Sequence, residues 1–315
     1  MISWLEPELA TLTSERFSDP AWMYERKFDG ERCLTYSAGG QVRLLTRNQL
    51  DVSATYPELH EVFGRQQASE YVVDGEIVAF DGDATSFSLL QQRLGVREPA
   101  PALVARVPVV YCLFDVLWAD GNDVRQRPLA ERKQVLRDLL SFGGPLQFTE
   151  HRDGNGDPFW DDACARGWEG LIAKRADSRY LAGRTRDWLK FKCVSSQEFI
   201  IGGYTEPQGS RTGFGALLVG YYDSEGRLVS AGKVGTGFTE ATLRQLTDSL
   251  ERLGTDRSPF GAGELPKHGV HWVEPRLVAQ IGFSEWTTAG QLRHPRYLGL
   301  RPDKYPADVV REVPS

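Results

Sequence analysis

Hydrophobic and polar positions along this chain follow two periods in turn. Residues 71–80 and 107–118 are short runs rich in β-branched and aromatic side chains, bounded by turn formers, and they predict buried strands. Residues 128–142 predict a helix: Pro128 stands near the start, Val135, Leu136, Leu139 and Leu140 make an apolar face, and Gly143-Gly144 end it. After residue 192 the texture changes to strand candidates at 199–204, 216–222 and 228–234. A helix over 239–253 follows, with Leu243, Leu246, Leu250 and Leu253 on one face. Leu277, Ala279, Ile281 and Phe283 alternate at period two, which predicts a half-buried strand.

These elements predict an α+β chain of two domains. Residues 1–195 form a mixed α/β domain; residues 196–315, short strands with one helix, form a small β-barrel of the OB type. The length of 315 residues favours two units sharing a cleft. Hydrophobic residues at 41% and charged residues at 25% fit a folded soluble chain and exclude a disordered one. Glu6 and Glu8 stand where a signal peptide needs an apolar run, and the longest apolar stretch, residues 109–114, is too short to cross a bilayer. Cys33, Cys112, Cys164 and Cys193 make no Cys-x-x-Cys pair, so neither a zinc site nor a disulfide framework is expected, and a reducing cytoplasm fits.

The net charge of −6 counts against nucleic acid as a partner until its distribution is considered. From 174 to 192, seven basic residues (Lys174, Arg175, Arg179, Arg184, Arg186, Lys190 and Lys192) face two acidic ones, Asp177 and Asp187. A second basic group, Arg293, His294, Arg296, Arg301 and Lys304, lies near the end. Trp188 and Phe191 interleave with Lys190 and Lys192, a pattern that sets lysines on one side of a strand and aromatics on the other as a cleft wall.

Glu25-Arg26-Lys27-Phe28-Asp29-Gly30 contains a Lys-x-Asp-Gly that could, alone, be a charged hairpin turn. It has company. Thr46-Arg47-Asn48, Asp74-Gly75-Glu76-Ile77, Phe114-Asp115-Val116-Leu117, Glu169-Gly170-Leu171-Ile172-Ala173-Lys174-Arg175, Trp188-Leu189-Lys190-Phe191-Lys192 and Arg301-Pro302-Asp303-Lys304 follow in order. The ordered set resembles the covalent nucleotidyltransferases, the superfamily of ATP-dependent DNA ligases and mRNA capping enzymes. Within it the chain is most similar to the ligase domain of bacterial end-joining ligases of the LigD and LigC kind.

The resemblance implies an adenylation domain followed by an OB-fold domain, and a lysyl-AMP intermediate on Lys27 that seals nicks in duplex DNA. It makes Lys27 the nucleophile and the backbone around Glu25 the adenine reader. It places Arg32 and Arg47 at the ribose and phosphates, Glu76 at the ribose hydroxyls and Phe114 on the adenine face. Arg184, Lys190 and Lys192 go to the phosphates, and Arg301 and Lys304 of the second domain to the β and γ phosphates. Glu169, with Asp29 second, would hold Mg2+ or Mn2+, since hard cations take carboxylate oxygens. A lysine attacks only when unprotonated, so Arg32, Lys190 and Lys192 are expected to lower the pKa of Lys27. The segment 194–197 is the expected pivot between domains.

The resemblance further implies ATP as cosubstrate, nicked DNA and Ku or another repair protein as partners, a monomer, no membrane, and a place in the bacterial cytoplasm at the nucleoid. No DNA-encircling domain is expected before Lys27, and no polymerase or nuclease domain beside the core. Gln49 stands where the family usually has glycine, which bears on the turn after Arg47-Asn48. An RNA capping guanylyltransferase, an RNA ligase and a non-enzymatic DNA clamp are the rival readings. Two other features are set aside. Residues 226–233 miss the P-loop spacing and suggest a bulged hairpin, and His268 and His271 lack a third ligand and suggest a loop.

Overall fold

The computed structural model describes residues 2–68, 70–193, 196–207 and 212–312. It divides into two compact units, Met1–Cys193 and Val194–Glu312. In the first, one sheet runs in the order Glu8–Leu12, Gly183–Lys192, Gly170–Arg175, Trp22–Lys27, His151–Asp153. A second runs Leu146–Phe148, Val110–Ala119, Tyr71–Val78, Glu31–Ala38, Gln41–Thr46. Most pairs are antiparallel, but Glu8–Leu12 joins Gly183–Lys192 in parallel and Leu146–Phe148 joins Val110–Ala119 in parallel.

Three apolar clusters hold this unit. Tyr24, Leu171, Ala173 and Phe191 on one face of the first sheet pack against Phe159 and Ala163 of the helix Gly156–Ala165. Cys33, Val73, Ile77, Tyr111 and Leu113 fill the outer face of the second sheet beneath the helices Pro57–Gly64 and Leu129–Leu139. Leu34, Tyr36, Val72, Phe114, Leu117, Tyr180 and Trp188 pack between the two sheets.

The helix predicted over 128–142 is found at Leu129–Leu139. Its buried stripe is Leu129, Arg132, Lys133 and Leu136, with Leu140 just beyond, so two cations occupy the spacing of apolar residues. The segment Lys27 to Glu31 is no hairpin turn. The strands it joins, Trp22–Lys27 and Glu31–Ala38, belong to different sheets, and Gly30 is required there because a Cβ would stand 2.2 Å from the Ile77 carbonyl oxygen.

No disulfide was expected from the cysteine spacing, yet Cys164 and Cys193 form one, while Cys33 and Cys112 are free and buried. Their separation of 29 residues hid the pairing, because the helix Gly156–Ala165 folds back on the sheet and brings the two Cα atoms to 5.3 Å.

In the second unit, Ser196–Thr205, Leu217–Tyr222, Leu228–Val234 and Val270–Gly282 form the main ladder. Edge strands are Gly254–Thr255, Phe260–Ala262 and Arg296–Leu300. The helix Glu240–Arg252 is capped by Thr239, whose hydroxyl accepts from Thr242 N at 3.1 Å, and Leu243, Leu246 and Leu250 reach the core. Among the described residues the ladder stays open, a strongly paired sheet of the expected OB type that ends in those three edge strands. Residues 278–283 are buried on both faces rather than one: Ala279, Ile281 and Phe283 enter the main core and Val278 a second cluster.

The bulged hairpin at 226–233 is present, with Ala231 the extra residue opposite Val219 and Gly220. His271 is a strand residue stacked on Tyr204 at 5.0 Å rather than part of a loop. Of the expected pivot, residues 194 and 195 lie outside the described residues. Ser196 and Gln197 belong to a strand, where Gln197 donates to Val310 O at 2.9 Å.

Candidate active site

Strand alternation gathers the candidate residues on two facing surfaces of the first unit. Lys27 is opposite Gly170, which is opposite Lys192; Glu25 is opposite Ile172, which is opposite Lys190. Lys27, Glu25, Lys174, Lys190 and Lys192 therefore share one face of the first sheet. Trp188, opposite Lys174, is on that same face, so the expected separation of lysines from aromatics holds for Phe191 and not for Trp188. From the second sheet, Arg32 is opposite Glu76 and Leu34 is opposite Asp74.

Phe114 is the extra residue of a bulge, since Asp74 faces Asp115 and Gly75 faces Leu113. The bulge turns its ring between the sheets. It meets Trp188 edge-on at 6.0 Å, the Arg32 guanidinium at 4.8 Å and Lys174 Nζ at 4.2 Å.

Lys27 Nζ is ion-paired to the Glu169 carboxylate. Burial pushes the Lys27 pKa down, but the carboxylates of Glu169, Asp29 and Glu76 outweigh it and hold the amine above the ordinary lysine value. This corrects the expectation of a depressed pKa: the nearest charges are anions, and the cations expected to do the lowering are committed elsewhere or further off. Arg32 is locked to the buried Asp74 by bonds of 2.8 and 2.6 Å, and Tyr180 donates to the same carboxylate at 2.6 Å. Glu169 is set by its glycine neighbour. Gly170 has φ 152°, and a Cβ there would stand 1.8 Å from the Phe191 carbonyl oxygen.

Glu25 is buried and bridges two buried lysines, Lys133 at 2.5 Å and Lys174 at 2.6 Å. Burial pushes the Glu25 pKa up, and the two lysines more than reverse it, so the carboxylate titrates below its usual range. Lys133 also donates to Thr149 O at 2.9 Å. Lys133 and Arg132, the latter paired with Asp115 at 2.8 Å, are site-supporting groups the motif reading missed, while Asp74 and Asp115 stood in its motifs without a role. The signal was present in the helix period, which puts Arg132 and Lys133 on the Leu129–Leu136 stripe.

Arg47 N donates to Arg32 O at 3.2 Å, joining the two predicted ribose-side arginines through backbone. Gln49 adopts φ 63°, the left-handed conformation that a glycine would take without strain. Arg184 is exposed and donates to Ala10 O. In the second unit Arg301 is 6% exposed and turned inward onto Asp303 at 2.8 Å and Glu198 at 3.7 Å, with Lys304 3.4 Å from Glu198.

Among the described residues no three acidic, histidine or cysteine side chains form a metal cage. The donor set still suits a hard divalent cation, because Mg2+ is held by one or two carboxylates with substrate phosphates completing the shell. Glu169 and Asp29, both acting on Lys27, are the carboxylates that would hold it.

The model of the ATP dependent DNA ligase domain matches residues 7–192, and that of the ATP dependent DNA ligase C terminal region matches residues 210–304. The multifunctional non-homologous end joining protein LigD of Pseudomonas aeruginosa is 37% identical over 322 residues, covering 100% of this chain and 37% of its own length. The LigD DNA repair protein of Mycobacterium tuberculosis is 39% identical over 317 residues, covering 98% of this chain and 40% of its own. The chain thus spans about two fifths of these relatives. A solved mycobacterial DNA ligase D complexed with ATP and MES is similar with a TM-score of 0.70 and 36% identity, covering 98% of both chains.

Proposed function

The chain belongs to the ATP-dependent DNA ligases, and from that premise we propose that it seals 3′-hydroxyl/5′-phosphate nicks in duplex DNA through an adenylate carried on Lys27. The observation that carries the reading is the Lys27–Glu169 pair at the mouth of two facing sheet surfaces that also bear Arg32, Glu76, Phe114, Lys190 and Lys192. ATP in complex with the similar mycobacterial ligase supports ATP as the nucleotide.

In the first step the neutral Lys27 amine attacks the α-phosphate and pyrophosphate leaves. The ion pair to Glu169 must therefore open and Lys27 must lose its proton before attack. AMP next passes to the 5′-phosphate of the nick, and the 3′-hydroxyl then displaces it as the phosphodiester forms. Each transfer is in line and depends mainly on positioning and charge neutralisation. Glu169, with Asp29, would hold Mg2+ or Mn2+, which neutralises charge growing on the phosphate. Arg32 and Arg47 would serve the ribose and phosphate side, Glu76 the ribose hydroxyls and Phe114 the adenine face. The backbone of Glu25, held by Lys133 and Lys174, would read the adenine edge. Lys190, Lys192 and Arg184 would bind phosphates, and Arg301 and Lys304 would orient pyrophosphate.

End joining is the process that the relatives' names support. Ku or another repair protein as recruiter, and a monomeric chain, belong to the proposal alone. Incubation with a nicked duplex and either ATP or GTP tests the reading. Sealing with ATP and Mg2+ is the expected result; labelling by GTP without sealing would favour a capping enzyme.

A further inference from the structure

Strand alternation that sends Lys27 to the site sends Arg26 to the opposite face. There its guanidinium lies 4.3 Å from the ring centre of Trp168 and 5.3 Å from those of Phe28 and Phe80. Nη2 donates to Asp83 O at 2.8 Å, while the buried Nε has no hydrogen-bond partner among the described residues and meets ring faces instead. Two of the three rings adjoin site residues in sequence: Phe28 follows Lys27, and Trp168 precedes Glu169. Lys27 is the last residue of its strand, and Glu169 stands just before the first residue of the strand opposite. At this end the ladder no longer fixes Phe28 and Trp168 to each other, and the Arg26 cation spans the gap.

We propose that Arg26 is a positioning residue for adenylation: by clasping Phe28 and Trp168 it fixes the separation of Lys27 from Glu169 across the end of the sheet. The proposal rests on the reading of Lys27 as the nucleophile. Cation–π contacts of a part-buried guanidinium suffice to hold such a clasp. A nucleophile displaced by a fraction of an ångström loses rate without losing affinity for its substrate.

Single-turnover labelling of the full chain with ATP tests it. Arg26→Leu should slow adenylation at saturating ATP about tenfold, with KM for ATP changed less than about twofold. Arg26→Lys, which keeps a cation over the rings, should restore most of the rate. Trp168→Leu, a second route to the same loss, should reproduce the defect. The double variant should be no slower than the slower single one, because both remove one contact. An Arg26→Leu chain labelled at the wild-type rate, or one whose defect is all in KM, overturns the proposal alone. A wild-type chain that takes no label overturns both it and the functional reading beneath it.

Discussion

Lys27, at the end of the strand Trp22–Lys27, is ion-paired through Nζ to Glu169, the residue before the strand Gly170–Arg175. The nucleophile is thus held charged by the group that the proposed function assigns to the metal. Without nucleotide or metal, Lys27 should react slowly with a small amine-selective reagent such as cyanate near pH 8. Glu169→Gln removes the largest contribution raising its pKa, so Lys27 should react faster in that variant. Peptide mapping of the modified chain reads both rates; equal rates would show that the pair does not control the amine.

Glu25 is the counter-ion of both Lys133 and Lys174, in a region closed to water. Breaking a buried pair by removing one partner costs about 3–5 kcal/mol, because the remaining charge is stranded. Lys133→Met and Glu25→Gln should each destabilise the first unit by that amount.

The folded pKa of Glu25 lies below its unfolded value, so its contribution is complete above about pH 4.3 and is lost as pH falls through the folded value. The gap in denaturation midpoint between wild type and Glu25→Gln should therefore be widest near neutrality and narrow below about pH 4. A gap that does not change with pH would contradict this assignment of the charge.

The Cys164–Cys193 disulfide closes a separation of 29 residues, which in the loop-entropy account stabilises by about 3.6 kcal/mol. Reduction should lower the Tm of the first unit by several degrees, and Cys193→Ser should abolish that sensitivity. Titration of the denatured, unreduced chain should find two thiols, those of Cys33 and Cys112. Four thiols would refute the bridge.

Arg301 and Lys304 both approach Glu198, and Arg301 and Asp303 form a bidentate pair in which burial of the Asp303 carboxyl is outweighed by Arg301, holding its pKa low. If these cations orient pyrophosphate, Arg301→Ala and Lys304→Ala lose most adenylation by ATP yet keep sealing of a nick supplied already adenylated. Parallel assays of the two reactions decide this; equal losses would mean that the motif is not confined to the first step.

Strands and helices were legible where one period held. The helix Glu240–Arg252 was expected at 239–253 because its four leucines fall on one face. Residues 278–283 defeated the period-two reading because both faces are buried, and a residue such as Gln280 gives no sign of that. The ordered motifs include Glu169, Asp29 and Glu76, whose carboxylates act on Lys27, but motif spacing carries no information about which charges lie nearest. The lysines expected beside Lys27 are two strands away, Arg32 is held by Asp74, and carboxylates took their place. Lys133 was passed over because a lysine in a helix is ordinarily solvated, although its position on the apolar stripe marked it as buried.

The central claim is that Lys27 carries AMP covalently. Mass spectrometry of the intact chain after incubation with ATP and Mg2+, followed by peptide mapping, measures this directly. The account predicts one added AMP on the peptide containing Lys27, none on Lys27→Ala, and its disappearance when nicked DNA is added. AMP on another residue, or an adduct that survives in Lys27→Ala, would contradict it.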